Sequence, residues 1–274
     1  MFKIRKTAAL AALFCSSVLN AWASADHMVI AMPQIPTIIE PQGINNNAID
    51  RYVGNVFETL LKADQKTGEL KPGLAESWRR LSPDTVEFKL RSGVRFQDGT
   101  PLTAADFVYA WNRACTLEDA AAPYLFACID GYGTGRLNVT ASPDGRTLTV
   151  VLAEAMPTFL QLCAQPAYAP VPSGAADTMR RTADGAGFAV SGPYTVSAWT
   201  DEGLTYVKNP AYWDADNVTA ETVRFAFDPD PDAASAAFLA RDYALVWPVS
   251  DAALDDLRTN HAPELRTVSR LATY

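Results

Sequence analysis

Three aspartates, Asp228, Asp230 and Asp232, alternate along one segment, the way a calcium loop begins. Such a loop also needs a glycine at its sixth place and a glutamate at its twelfth. Counted from Asp228, those places hold Ala233 and Leu239, and Pro229 and Pro231 stiffen the segment. The run is better read as the start of a helix over 233–241, capped by Asp232. His27 and His261 stand far apart, so they supply neither a metal cluster nor a base beside a nucleophile. The glycines from Gly131 to Gly135 resemble a phosphate cradle, but no helix pattern follows to offer its amides. Neither G-x-S-x-G nor H-E-x-x-H occurs. The expectation is a chain with no catalytic residue, no metal site and no cofactor, hence not an enzyme; a secreted hydrolase would need a nucleophile and base that are not evident.

Thiols are the remaining reactive groups, and their compartment matters. Lys3, Arg5 and Lys6 precede an apolar run over 7–19, followed by small-residue cleavage sites ending at Ala23 or Ala25. Residues 1–25 therefore read as a secretory signal peptide. Phe14, before Cys15, stands where lipoprotein processing needs a small residue, so a lipid anchor is not expected. In an oxidising compartment Cys115 and Cys128, which flank a short Pro-containing loop, are a candidate disulfide that would add about 3 kcal/mol if unstrained. Free thiols are the other reading, and Cys163, in the apolar stretch 159–163, is expected to be a buried free thiol.

The chain carries 23 basic and 31 acidic residues, a formal charge of −8. Loss of residues 1–25 removes three positive charges and no acid. That balance, without a basic stripe interleaved with aromatics, disfavours nucleic acid. At 49% hydrophobic and 20% charged, the 274 residues have ordinary globular composition.

The periodicities give the supporting elements. A strand over 28–32 runs into a proline-broken loop, 33–47, and then a helix from Ile49 whose apolar positions are Tyr52, Val53, Val56, Phe57, Leu60 and Leu61. Strand, loop and helix in that order place a loop at the edge of an α/β sheet, where ligands bind. After a turn at Lys71, Pro72 and Gly73, Val86, Phe88 and Leu90 alternate with Glu87 and Lys89 as a half-buried strand. Asp98 and Gly99 supply a turn. Thr103 with Asp106 forms a capping box, and Phe107, Ala110, Trp111 and Ala114 share one helical face. A hairpin follows over 138–152, then a short helix after Pro157 and a crossover at Pro166, Pro170 and Pro172 that suggests a boundary between lobes. Strands are expected from Ser191-Gly192-Pro193-Tyr194 through Trp199 and over 204–207, 223–227 and 243–246, with a helix over 251–258 capped by Ser250.

Several of these segments also carry a resemblance. Ala75-Glu76-Ser77-Trp78, Phe88 to Arg91, Phe96 to Pro101 with its Asp-Gly-Thr-Pro, Asp106-Phe107 running to Trp111, and Asn209-Pro210 with Tyr212-Trp213 together resemble the extracellular solute-binding proteins of the peptide and nickel class, family 5, and most closely the oligopeptide-binding proteins. The resemblance implies an α/β, periplasmic-binding-protein type II-like fold, with mixed sheets and helices. It implies a first, discontinuous lobe over 26–53 and 167–274 and a family-specific additional domain over 54–166. It also implies a soluble periplasmic protein that captures an oligopeptide and hands it to an ABC permease complex in the membrane. The positions matching the family's ligand cleft are Gln34, Ile35, Pro36, Thr37, Tyr124 and Trp247. Because family chains continue into a second ligand-binding lobe, the expectation is a C-terminally truncated form. An exported protein-interaction or chaperone-like module with no transport role is the alternative.

Overall fold

The computed structural model describes residues 26–42, 50–64, 66–117, 120, 122–174 and 189–265. The expected leader, residues 1–25, lies outside them, as do 177–188 of the polar stretch before Ser191. In chain order the regular elements are β1 (His27–Met32), α1 (Asp50–Val56), β2 (Leu61–Ala63), β3 (Leu70–Pro72), β4 (Ala75–Ser82), β5 (Thr85–Leu90), α2 (Ala104–Thr116), β6 (Val139–Ala141), β7 (Thr147–Val151), α3 (Phe159–Leu162), β8 (Tyr194–Trp199), β9 (Gly203–Lys208), β10 (Thr222–Phe227), α4 (Pro231–Leu239), β11 (Leu245–Val246) and α5 (Asp251–Asn260).

The chain divides into two compact units. Of the described residues, the larger takes those within 36–199 and 206–218, and the smaller those within 26–35, 200–205 and 219–265. The expected boundaries at 53/54 and 166/167 do not coincide with those of this division.

In the larger unit the antiparallel sheet runs β4-β5-β7-β6. Its register places Phe88 between Trp78 and Leu148, and the alternation read from sequence buries Val86, Phe88 and Leu90. Helix α2 lies on β6 and β7 and buries Phe107, Ala110, Trp111 and Ala114. Its capping box is formed: the Thr103 amide and hydroxyl reach Asp106 Oδ2 at 2.8 and 3.1 Å. Asp106 Oδ1 also accepts from the amide and hydroxyl of Ser173, so one carboxylate fixes both the helix start and the crossover. Behind the helix, Trp111 Nε1 donates to the Tyr168 carbonyl at 3.0 Å, and Phe126 stacks on Tyr168 with ring centroids 4.7 Å apart. Strand β4 and the β2–β3 pair were not expected. β4 is an edge strand whose Arg79 and Arg80 are exposed, so its sequence lacks the alternation of a half-buried strand.

Cys115, Cys128 and Cys163 are all free cysteines, so the expected candidate bridge between Cys115 and Cys128 is not formed in this structure. Cys128 Sγ instead faces the Leu125 carbonyl at 3.8 Å and the Tyr168 hydroxyl at 3.9 Å. Cys163 is fully buried, as expected.

In the smaller unit β1 lies between two parallel partners. Met28 to Met32 pair with Val223 to Phe227 of β10, and Ile30 and Ala31 pair with Leu245 and Val246 of β11. The start of β9 continues this sheet beyond β10. Helix α4 is capped by Asp230, not by Asp232: the Asp230 carboxylate accepts from the Asp232 and Ala233 amides at 2.9 and 3.3 Å. Pro231 explains the shift, since proline suits the first helical position and moves the start two residues earlier. Ser250 caps α5 by accepting from the Ala253 amide at 3.1 Å, as its sequence suggests.

Candidate functional site

In the smaller unit the carboxyl ends of three neighbouring parallel strands, in the order β11-β1-β10, fall at Val246, Met32 and Phe227. Ligands of open α/β sheets bind outside such ends. The residues that follow are Gln34 and Ile35 after β1, Trp247 after β11, and Asp228 after β10. Gln34 is exposed and Ile35 half-buried, while Trp247 is 42% exposed. Phe227 is 46% exposed at its strand end; the sequence reading did not single it out, because an aromatic closing an apolar strand looks like core. The Asp228 carboxylate accepts from the Tyr243 hydroxyl at 3.2 Å, and burial raises the tyrosine's pKa.

The other expected contacts fall in the larger unit. Pro36 is buried and its carbonyl accepts from Trp199 Nε1 at 2.7 Å, while Thr37 next to it is exposed. Tyr124 is 59% exposed, in the turn Pro123–Phe126 whose Phe126 is buried. Thus Gln34, Ile35 and Trp247 belong to one unit, and Pro36, Thr37 and Tyr124 to the other.

The larger unit contains two buried polar clusters, one of which anchors the loop after Pro36. Arg113 of α2 grips the Glu40 carboxylate through both terminal nitrogens at 2.9 and 3.0 Å, and Gln42 donates to the carbonyls of Ala167 and Ala169. The loop after Pro36 is therefore tied to helix and crossover by charge-assisted bonds in a desolvated setting. A lone glutamate among prolines gives no sign of this in sequence. Arg113, however, follows Asp106 and Ala110 down the buried face of α2, and a cation there calls for a buried acid.

Glu58, just after α1, centres the second cluster. Lys62 pairs with it at 2.6 Å, and Tyr212 and Trp213 donate to it at 3.0 and 2.6 Å. Burial raises its pKa, against the lowering pull of Lys62 and the two aromatic donors. Arg91 stacks over Trp213, 3.7 Å from the ring centroid. The Asn209 to Trp213 motif thus reads as scaffold: Asn209 donates to the Gly192 carbonyl and caps its own turn through the Ala211 amide.

A cavity of about 340 Å³ in the smaller unit is lined by Phe238, Arg241, Tyr243, Ala244 and Glu264. Its two charged residues already pair with each other, Arg241 with Glu264.

This geometry matches known proteins. The murein tripeptide-binding protein MppA of Escherichia coli superposes with a TM-score of 0.75 at 25% identity, covering 85% of this chain and 48% of that one. Haemophilus influenzae OppA, solved in complex with the peptide RPPGFSPFR, superposes with a TM-score of 0.77 at 21% identity over 86% of this chain and 48% of that one. The fold is that of the type II periplasmic binding proteins, mixed α/β, of which this chain spans about half. The description "Bacterial extracellular solute-binding proteins, family 5 Middle" matches residues 69–274, and the chain belongs to that family. Among curated relatives, the dipeptide-binding protein DppE of Bacillus subtilis is 33% identical over 208 residues, 71% of this chain and 38% of its own length. Escherichia coli OppA, a periplasmic oligopeptide-binding protein, is 32% identical over 185 residues, 63% of this chain and 33% of its own. The probable deoxycholate-binding protein YgiS of the same bacterium is 30% identical over 86% of this chain and 46% of its own length.

Proposed function

We propose that this chain contributes the ligand-capturing surface of the substrate-binding component of an ABC-type peptide importer. It works outside the cytoplasmic membrane, after export by the leader at residues 1–25, and delivers oligopeptides to a membrane permease. The observation that carries this reading is the family match over 69–274 together with peptide-binding relatives at 33% and 32% identity. Binding, not catalysis, is the task such a family performs. An extended peptide would lie along the strand ends of the smaller unit, its backbone met by main-chain groups at Gln34 and Ile35 and a side chain near Trp247; Pro36, Thr37 and Tyr124 remain candidate contacts of the larger unit taken by itself. Among the described residues no helix is long and apolar enough to cross a membrane.

A bile acid is the second reading, favoured by the similarity to YgiS. It fits less well, because a bile acid is an anion and the strand ends of the smaller unit are followed by Asp228, Asp230 and Asp232. Equilibrium dialysis of the full chain against a tripeptide mixture and against deoxycholate distinguishes the two. Retention of peptides and not of deoxycholate is expected; retention of deoxycholate alone would overturn the peptide assignment.

A further inference from the structure

We infer that Trp199 is a positioning residue: by holding the Pro36 carbonyl it aims the Thr37 N–H as a donor for a main-chain carbonyl of a captured peptide, an assignment that rests on the peptide-binding reading above. Trp199, Pro36 and Thr37 all lie in the larger unit. Residues 36–42 belong to no helix or strand, so side chains must hold them. Ile39 is fully buried, Arg113 grips Glu40, and Gln42 reaches the carbonyls of Ala167 and Ala169. Within this segment Thr37 is exposed and Ile38 half-buried, and the rest is buried.

The end next to Thr37 is held by Trp199. This residue, the last of β8 and 5% exposed, donates from Nε1 to the Pro36 carbonyl at 2.7 Å. A buried indole N–H requires an acceptor, and here the acceptor is half of an amide whose other half belongs to the exposed Thr37. The Pro36 carbonyl and the Thr37 N–H share one planar trans peptide group, so they point in opposite directions. With the oxygen turned to the indole, the N–H is turned away from it and has no partner among the described residues. Accepting at the oxygen also polarises the amide and strengthens the N–H as a donor. The donor is thus set before a ligand arrives, which lowers the ordering cost of binding.

The test follows the Trp199 indole proton of the full chain by NMR, assigned through its contacts to Pro36 and Thr37, during titration with the tripeptide mixture. A peptide carbonyl on Thr37 would link two hydrogen bonds through one amide, so the Trp199 resonance should move downfield, while that of Trp213, which donates to Glu58, stays in place. In dialysis, Thr37→Pro, which removes the donor, and Trp199→Phe should each weaken binding about tenfold. Because both act on one amide, the double variant should bind no more than about twofold more weakly than the weaker single variant. A fixed Trp199 resonance with peptide retained, full affinity in Trp199→Phe, or losses that multiply in the double variant would overturn the positioning role and leave peptide binding standing. Should Trp199→Phe not fold, the wild-type resonance decides alone. If the wild type retains no peptide, the peptide reading falls and this inference with it.

Discussion

Trp213 Nε1 donates to Glu58 Oε2 at 2.6 Å, placing an indole donor against a carboxylate that is only 4% exposed. Desolvation outweighs the lowering effects of Lys62, Trp213 and Tyr212, so the folded carboxyl has a pKa above its ordinary 4.5. The folded chain then takes up this proton before the unfolded chain does. The stability it contributes is fully present below about pH 4.5 and is lost as pH rises through the folded value. Other carboxylates, such as Glu264, held down to about 2 by Arg241, act in the opposite sense. The prediction therefore concerns a difference: in urea unfolding followed over pH, wild type should lose stability relative to Glu58→Gln as pH rises above about 4.5. A constant gap between the two would contradict it.

The Glu40–Arg113 pair should behave as a buried ion pair that tolerates joint replacement better than a single one. Arg113→Met leaves a carboxylate uncompensated in the interior and should cost about 3–5 kcal/mol in chemical denaturation. Adding Glu40→Leu should recover a large part of that loss. A double variant less stable than Arg113→Met would show that the pair contributes more than mutual neutralisation.

Close backbone contact makes Gly192 a third test. A Cβ there would sit 2.6 Å from the Val56 carbonyl carbon and 2.8 Å from its oxygen, atoms that cannot yield as a flexible side chain would. Gly192→Ala should destabilise by about 1–3 kcal/mol, measured by thermal unfolding. Gly54, with open space around its Cβ position, is the control: Gly54→Ala lies within α1 and should be neutral or stabilising, by up to about 1 kcal/mol.

The thiols give a fourth. Without reduction, Cys115, Cys128 and Cys163 should each take up one alkylating group in urea. In the native state Cys163 should resist labelling, and Cys115 and Cys128 should label slowly near neutral pH, because burial raises all three thiol pKa values. Two of these thiols unreactive in urea until reductant is added would show a disulfide after all.

How much of this was legible in the sequence depended on whether the signal was local. The capping box at Thr103 and Asp106, the alternation from Val86 to Leu90 and the buried positions of α2 are written within a few residues, and the structure places them as read. Helix α4 was legible but displaced, because Pro231 sets the start and Asp230, not Asp232, receives the first amides. Strand β4 was not legible: an edge strand with Arg79 and Arg80 outward has no apolar period. The clusters around Glu58 and Glu40 join residues 155 and 73 positions apart, and nothing local announces such a partner. Phe227 escaped for the opposite reason, since its setting in sequence is that of a core aromatic and only register with Met32 and exposure reveal it.

The most direct test of the central claim is to isolate the chain under native conditions from an expressing bacterium, denature it, and identify by mass spectrometry what it releases. The account predicts short peptides of mixed sequence. Release of a bile acid or another non-peptide solute, with no peptide above the level of an unrelated exported protein, would contradict it.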